Sequence, residues 1–285
     1  MEKIRKNHND AKRALIQAVV REGQSVLDVG AGFGGDLQKW RAVGAYVSMC
    51  DPSPEALEEA RSRARNLKIR VNGFYTGDIR ACPNRRWDAV CYNFSLHYVF
   101  ASRELFHRTL SEIKRRVHPG GHLFGIIPDS ESILNRVPLK DELGNFFLTK
   151  HHGNGGFGEK LWVNLVDTPF YADGPRPEPI CYKDVLVTEL EKIGFTLLLW
   201  EPLQGHISEL YSKFIFVYKK KHHVDTGCAF VGGPVGDQEH GGTTGVDGGE
   251  GKIPDPPGTP GAHASGQIQD DLVTKTGDGL SQDAW

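Results

Sequence analysis

Four glycines within six residues, directly after a short apolar run, constrain this chain more than any other feature. The run Ser25–Val29 predicts a buried strand, and the glycines follow within residues 30–35. Leu37 and Trp40, three residues apart, then mark one face of a helix. Glycines let the backbone turn tightly and approach a ligand closely. A strand, a glycine-rich turn and a helix predict the first half of a nucleotide-binding βαβ unit.

Two carboxylates at this turn indicate the charge of its ligand. Asp28 lies just before the first glycine, Gly30, and Asp36 stands where the phosphate of a dinucleotide would meet the helix. Negative charge at both places disfavours a pyrophosphate and suits a ligand that carries positive charge. S-adenosylmethionine meets this requirement, because it has a sulfonium and an ammonium group.

Carboxylates also follow the next two predicted strands. The second, Ala45–Cys50, ends at Asp51, about twenty residues after the turn, where this fold class binds ribose hydroxyls. The same aspartate opens a good helix-capping sequence, and the two roles are compatible. The third predicted strand, residues 69–76, is followed by Asp78. Asp78 is either a contact to an adenine amino group or an ordinary turn aspartate.

The second informative stretch is Asn93–Tyr98, which follows the predicted strand Trp87–Asn93. Polar and aromatic residues cluster here just past the carboxyl end of a strand, where open α/β sheets bind ligands. A single histidine is more often a structural residue than a ligand contact. His97 lies beside Tyr98 and near Phe94, and this combination favours a slot for a flat ring.

The order of predicted elements is that of a Rossmann-like α/β protein. Strands and helices alternate to about residue 127, which calls for a mostly parallel sheet with covered faces. We expect seven strands, including an antiparallel edge strand. Residues 128–180 break the pattern and are interpreted as an insertion over the ligand edge. The later predicted elements are strands 146–150 and 161–167, a helix over 181–193, and a strand pair, 195–200 and 214–218. His151-His152 is interpreted as a loop, not a metal site.

Charge and composition divide the chain into three parts. Residues 1–24 form a basic helical arm, interpreted as either a packing helix with a solvated face or an arm that closes over the ligand with Lys12. Residues 25–222 form the main domain. Residues 223–285 are rich in glycine and proline and are predicted to be disordered. From residue 224 onward the net charge is 2 − 10 = −8, which leaves 32 − 26 = +6 for residues 1–223. A basic body fits an anionic partner.

The sequence predicts a soluble intracellular protein. It shows no signal peptide, no apolar run long enough to span a bilayer and no Cys-x-x-Cys pair. The choice between nucleus and cytoplasm stays open, and so does the choice between a cellular and a viral host. For a viral host, the cytoplasm is expected.

Gly-Gly-Asp-Leu-Gln-Lys-Trp, residues 34–40, taken with Asn93–Tyr98, resembles the mRNA cap guanine-N7 methyltransferase family of class I methyltransferases. The similarity continues in register over about residues 3–221. It implies a class I methyltransferase fold, S-adenosylmethionine as methyl donor, no metal ion, and capped RNA as the substrate. It also implies that such a chain works with a separate capping enzyme or forms part of a larger polyprotein.

The resemblance also implies roles for individual residues. Those that would hold S-adenosylmethionine are Lys12, Asp28, Gly30, Asp51, Asp78 and Asn93. Those that would hold the cap guanine are His97, Tyr98, Glu178, Tyr211 and Phe94, with His8 near the cap and Arg63 at the triphosphate bridge. Guanine N7 has a lone pair and no proton, so the site needs no acid or base. Alignment of donor and acceptor then carries the reaction, worth up to roughly 7–11 kcal/mol.

Three features depart from the family pattern. Phe33 stands where the family usually has lysine or a polar residue, His8 stands where it commonly has asparagine, and the stretch from Trp200 to Tyr211 is shorter than usual. Either a partner completes the far wall of the site or the site is more open. Two other functions are therefore considered: a small-molecule methyltransferase, and a cap-binding module that is weakly active or stimulates a partner. The basic arm and Arg63 argue against the first.

Overall fold

A computed structural model describes residues 2–136, 139–141, 144–149, 156–165 and 173–219 of the 285-residue chain. The described part holds a seven-stranded sheet with helices packed against it, and a separate four-stranded antiparallel sheet. The predictions of disorder for residues 223–285 and of a loop at His151-His152 lie outside the described residues.

Up to about residue 127 the described helices and strands follow the predicted order, whereas a helix at 130–134 and strands at 139–141 and 176–179 were not predicted. The helices are α1 (Glu2–Val19), α2 (Leu37–Ala42), α3 (Pro54–Asn66), α4 (Arg103–Arg116), α5 (Ser130–Leu134) and α6 (Lys183–Lys192). The strands are β1 (Ser25–Val29), β2 (Tyr46–Asp51), β3 (Phe74–Thr76), β4 (Trp87–Asn93), β5 (Val117–Pro128), β6 (Leu139–Asp141), β7 (Gly144–Thr149), β8 (Lys160–Leu165), β9 (Arg176–Pro179), β10 (Phe195–Pro202) and β11 (Tyr211–Tyr218). Short 3₁₀ helices cover Ile79–Ala81, Leu96–Ala101 and His206–Leu210.

The large sheet has the strand order β10-β11-β5-β4-β1-β2-β3. All neighbours up to β5 are parallel, and β11 runs antiparallel to both β5 and β10. The predicted Rossmann-like, mostly parallel seven-stranded sheet is confirmed. The place of the antiparallel strand is corrected, because β10 forms the edge and the hairpin returns β11 into the gap beside β5. There Phe214 pairs with Gly125 on one side and Trp200 on the other.

Helix α1 is packed against the sheet along its apolar stripe. Leu15 and Ile16 are buried in the same cluster as Trp40 of α2 and Phe124 of β5. The rings of Trp40 and Phe124 meet edge to face with centroids 6.5 Å apart. Full burial of one such aliphatic side chain contributes roughly 1.5–3 kcal/mol. The predicted helix over the basic segment therefore has a buried face, which holds its polar residues at a fixed place above the sheet.

Two predicted boundaries are corrected by the backbone pairing. The third strand is shorter than residues 69–76, because pairing with β2 as a regular ladder begins only at Phe74. Pro119-Gly120-Gly121 predicts a turn before a fifth strand at 122–127, but these residues lie inside β5. There β5 advances from Val117 to His122 while β4 advances from Trp87 to Ala89, so the extra residues form an irregularity in the strand.

The antiparallel sheet β6-β7-β8-β9 lies between α5 and α6 in the chain. Its two connections to the main sheet are joined at their base, where Asp129 and Cys181 form a parallel bridge and the amide of Ser130 donates to the carbonyl of Cys181 at 3.2 Å. Asp129 is buried and accepts hydrogen bonds from Trp200 Nε1 at 2.8 Å and from the amide of Glu131 at 3.0 Å. This arrangement fixes β9, and with it Glu178, relative to the main sheet.

Candidate functional site

A cavity of about 700 Å³ opens at the carboxyl ends of β1 and β4. This volume lies within the range of small-molecule sites. All residues that the resemblance assigns to the cap line it, namely His8, Arg63, Phe94, His97, Tyr98, Glu178 and Tyr211. Four that it assigns to the methyl donor also line it, namely Lys12, Asp28, Gly30 and Asn93. The fold thus brings residues from α1, the glycine turn, α3, β9 and β11 to one place.

The first residue of the glycine turn must be a glycine because the chain segment after β4 packs directly against it. Gly30 has φ +75°, and a Cβ atom there would lie 2.4 Å from Cβ of Ser95. The hydroxyl of Ser95 in turn donates to the carbonyl of Val29 at 2.6 Å. The end of β1 and the segment after Asn93 are therefore locked together, so the two stretches singled out in the sequence form adjacent walls of the cavity.

A buried ion network forms one wall. Asp36 Oδ1 lies 2.8 Å from Nζ of both Lys12 and Lys39, and Asp36 Oδ2 accepts from Asn93 Nδ2 at 3.0 Å. The two lysines and Asp36 are all below 10% exposed. Asn93 Oδ1 is buried without a hydrogen-bond partner among the described residues. Its lone pairs are therefore available to a donor on a bound ligand.

Asp28 and Asp36 occupy opposite electrostatic environments in this wall. Burial, followed by the charge of Asp36, raises the pKa of Asp28 to about 7, although Asp28 accepts a hydrogen bond from Trp40 Nε1 at 2.9 Å. Burial would also raise the pKa of Asp36, but Lys12 and Lys39 outweigh it and lower that pKa to about 2. Asp36 is thus fully ionised at neutral pH, while Asp28 is poised to lose a proton when a cation arrives.

Lys39 is a site residue that the sequence reasoning missed. It lines the cavity, and its ammonium reaches Asp36 at 2.8 Å, the carbonyl of Gly35 at 3.2 Å and Asn9 Oδ1 of α1 at 2.9 Å. Burial lowers its pKa. The signal in the sequence was its position three residues after Asp36, which places the two side chains on the same face of α2.

Aromatic rings form the opposite wall. His8, Phe94 and Tyr211 surround one point, with centroid distances of 4.8 Å between His8 and Phe94 and 5.3 Å between Phe94 and Tyr211. His97 and Tyr98 form a second pair at 4.2 Å. Phe94 has φ +59°, which is costly for a residue with a Cβ atom, and its amide donates to the carbonyl of Ile126 at 2.8 Å. Such strain is concentrated at ligand sites.

The histidines and tyrosines of the aromatic wall are neutral at physiological pH. Burial lowers the pKa of His97 to about 3, and burial followed by the charge of Lys12 lowers the pKa of His8 to about 4. Burial, followed by the charge of Glu178, raises the pKa of Tyr98 and of Tyr211. Both phenols therefore keep their protons, and both imidazoles carry no charge.

His97 presents buried polar atoms to the cavity. Neither ring nitrogen has a hydrogen-bond partner within the described ranges, and the side chain is 3% exposed. Its Nε2 lies 3.7 Å from Glu178 Oε2, which is too long for a hydrogen bond. Burial of an unpaired polar group costs roughly 1–3 kcal/mol. A ligand with its own donors and acceptors would recover that cost.

Two predicted site residues lie outside the cavity lining. Asp51 accepts from the amide of Gly32 at 2.8 Å and from the amide of Ser53 at 2.9 Å, so it braces the glycine turn and the start of α3. Asp78 pairs with Arg80, accepting from its backbone amide and from Nε, both at 2.9 Å. The ordinary roles of these aspartates, at a helix start and in a turn, are therefore present in the structure.

The mostly parallel seven-stranded sheet with one antiparallel strand is the Rossmann-like fold of class I methyltransferases. A protein from Pyrococcus horikoshii superposes with a TM-score of 0.58 at 17% identity, over 77% of this chain and 92% of that one. A structure described as an S-adenosylmethionine-dependent methyltransferase from Clostridium acetobutylicum gives 0.50 at 14% identity, over 75% and 92%. These likenesses confirm the predicted fold class.

The chain belongs to the mRNA (guanine-N(7))-methyltransferase family, whose domain model matches residues 1–154. The mRNA cap guanine-N(7) methyltransferase of Saccharomyces cerevisiae is 34% identical over 158 residues, covering 49% of this chain and 36% of the relative. That of Candida glabrata is 33% identical over 251 residues, covering 77% and 59%. The chain thus spans between about a third and three fifths of the length of these curated relatives.

No cluster suited to a metal ion is found in the described part of the chain, where no group of three or more His, Cys, Asp or Glu side chains converges. Among the described helices, none combines the length and the apolar character that crossing a membrane requires.

Proposed function

We propose that the protein transfers the methyl group of S-adenosylmethionine to N7 of the guanine in a GpppN RNA cap. The proposal rests on family membership and on one observation: the ion network and the aromatic wall face the same cavity. The first suits a charged donor and the second a flat purine. One cleft would then hold both substrates side by side.

The residues of the charged wall fit the methyl donor. When bound, S-adenosylmethionine supplies an electrophilic methyl group on a sulfonium. Asp28 provides a carboxylate for its ammonium group, and Lys12 a cation for its carboxylate. Asn93 Oδ1 offers an unpaired buried acceptor at the same wall. Gly30 lines the cavity, and the absence of its side chain lets Ser95 pack against the turn that would face the ligand. We retain Asp51 and Asp78 as ribose and adenine contacts, which requires Asp78 to exchange its bond with Arg80.

The residues of the aromatic wall fit guanine. Phe94, Tyr98 and Tyr211 supply ring surfaces for stacking, a common mode of recognition for exposed bases. Glu178 would accept hydrogen bonds from the N1 and N2 edge of guanine, which selects guanine over adenine. Its negative charge would also offset the positive charge that the base gains when N7 is methylated. Glu178 lies close enough to raise the pKa of both tyrosines, so its field reaches the ring slot.

Neutral histidines agree with chemistry that needs no base. N7 of guanine attacks through a lone pair, so no proton has to be removed. His97 and His8, whose pKa values are lowered to about 3 and about 4, add no positive charge near the base as it becomes cationic. We therefore assign the wall the work of positioning the purine and tolerating its charge. The unpaired nitrogens of His97 are the atoms that a bound purine would satisfy.

A transfer assay tests the proposal. Purified protein is incubated with radiolabelled S-adenosylmethionine and GpppA-capped RNA, and the product is digested to nucleosides. We expect label in 7-methylguanosine. The matched control is m7GpppA-capped RNA, in which N7 is already blocked and no label should enter. Label in another nucleoside, or transfer to both RNAs, would contradict the proposal. Binding of GpppA without transfer would favour the stimulatory module.

We also propose that the protein acts inside the cell, where capped RNA is made, and that it works with the enzyme that adds the cap guanylate. Both statements follow from the proposed substrate.

A further inference from the structure

Phe33 is an exposed aromatic residue in the middle of the glycine turn, with an exposed fraction of 41%. A single exposed apolar side chain is common and carries no information by itself. The residues next to Phe33 in the chain are informative. Ala31 and Gly34, on either side of it in the chain, both line the cavity, so Phe33 projects from the rim of the same cleft.

A guanidinium shares this part of the rim. Arg63 of α3 lines the cavity, and its Nη1 donates to the carbonyl of Phe33 at 3.3 Å. Its Nε also lies 3.6 Å from Glu59 Oε1, and the side chain is 19% exposed. The aromatic ring and the cation are thus tied to one point of the backbone, where an entering ligand would meet both.

The turn that carries Phe33 is held rigidly. Gly32 and Gly34 have φ values of +51° and +76°, and the amide of Gly32 donates to Asp51 at 2.8 Å. A Cβ atom on Gly34 would lie 3.0 Å from Cβ of Ala60, so the turn packs directly on α3. A rigid support lowers the entropy cost of binding on its surface.

Further arginines of the cleft suit an anion that extends beyond the cavity. Arg5 and Arg13 of α1 also line the cleft, and the side chain of Arg13 is 53% exposed although it pairs with Asp10. The buried lysines deeper in the cleft both pair with Asp36. Arginines beside an exposed ring are the combination that binds a phosphate chain with its adjoining base.

Resting on the proposed function, we propose that Phe33 stacks on the base of the nucleotide that the triphosphate joins to the cap guanosine. Arg63, tied to the Phe33 carbonyl, then meets the bridging phosphates between the two nucleosides. The protein would then recognise the bases on both sides of the triphosphate bridge. Phe33 would be a specificity-determining residue that separates capped RNA from free GTP, which carries a guanine and a triphosphate but no second base.

A binding experiment tests this role without relying on turnover. Calorimetry in the presence of S-adenosylhomocysteine compares GpppA with GTP for the wild type, Phe33→Leu and Phe33→Trp. Loss of one stacked base should raise the Kd of Phe33→Leu for GpppA roughly 5- to 150-fold. We expect its Kd for GTP to stay unchanged and Phe33→Trp to keep the wild-type preference. Leu198→Ala removes another exposed apolar side chain, on β10, and should change neither.

The inference and the proposed function fail separately. Equal affinity of the wild type for GpppA and GTP, an unchanged Kd in Phe33→Leu, or equal losses for both ligands would each overturn the role of Phe33. Methyl transfer to capped RNA could still be present in those cases. A preference for GpppA that Phe33→Leu removes, in a protein that transfers no methyl group, would support the role of Phe33 and overturn the proposed function.

Discussion

The two walls of the cavity solve different physical problems. On one side, Asp36 lies 2.8 Å from two buried lysines, so part of their charge is offset inside the protein before any ligand arrives. On the other, rings 4.2–5.4 Å apart surround neutral imidazoles, and Glu178 supplies negative charge. A donor with fixed charges needs preformed counter-charges. An acceptor that becomes charged during the reaction needs shape and a carboxylate.

The largest expected effect comes from breaking the charged wall. Asp36→Asn keeps the shape but leaves Lys12 and Lys39 buried without a counter-charge, so we expect a loss of about 3–5 kcal/mol in the free energy of unfolding. Urea denaturation measures it. Asp10→Asn is the matched control, because Asp10 also pairs with two cations, Lys6 and Arg13, but at the surface. Its effect on the free energy of unfolding should be far smaller, because exposed ion pairs contribute little to stability. Similar costs for both variants would contradict the assignment.

A change in the aromatic wall should reduce catalysis without weakening the binding of the methyl donor. Glu178→Gln removes the negative charge that faces the guanine, so we expect kcat/KM for capped RNA to fall roughly 10²- to 10³-fold. The Kd for S-adenosylhomocysteine should not change. Glu201→Gln serves as control, since Glu201 pairs with Lys213 on β11 and is 54% exposed. Full activity in Glu178→Gln would refute the role of this carboxylate.

The pH dependence of donor binding sharpens the contrast, because Asp28 titrates near neutrality while the histidines do not. Asp28, with a pKa raised to about 7, holds a proton below that pH, and the ammonium of S-adenosylhomocysteine requires the ionised form. The Kd should therefore rise as pH falls below about 7, by up to about tenfold per pH unit, and level off above it. Calorimetry between pH 5.5 and 8.5 measures it. Asp28→Asn should abolish the slope, and a flat wild-type profile would exclude the role.

The smallest expected effect tests the contribution of the Trp40 hydrogen bond to the pKa of Asp28. The hydrogen bond from Trp40 Nε1, at 2.9 Å, lowers the pKa of Asp28. Trp40→Phe removes this bond and so raises that pKa, and the pH midpoint of S-adenosylhomocysteine binding should move upward. The affinity at pH 7 should fall roughly 2- to 10-fold. The cavity left by the smaller ring reduces thermal stability but does not by itself move a pH midpoint. An unshifted midpoint would show that the Trp40 hydrogen bond does not contribute to the pKa of Asp28.

Several parts of the site were accessible from local patterns, and others were not. The glycine turn, the Asn93–Tyr98 cluster and the parallel sheet follow from short-range signals, since each is written in a few consecutive residues. Lys39 was missed because its role depends on Asn9, thirty residues earlier and on another helix. The strand at Pro119–Gly121 was misjudged because proline and glycine mark turns locally, whereas Val117 and His122 on either side both pair with β4, which includes the segment in β5 as an irregularity.

By itself, the sequence determined the class of fold and the kinds of side chain at the ligand edge, because periodicity, glycine spacing and residue chemistry are local properties. Only the tertiary structure decided which of these side chains meet. It placed Tyr211 of β11 beside Phe94 and Glu178 of β9 beside His97, and it brought lysines from two helices to Asp36. The physical reason is that pairing, burial and pKa depend on distances between residues far apart in the chain, which packing alone sets.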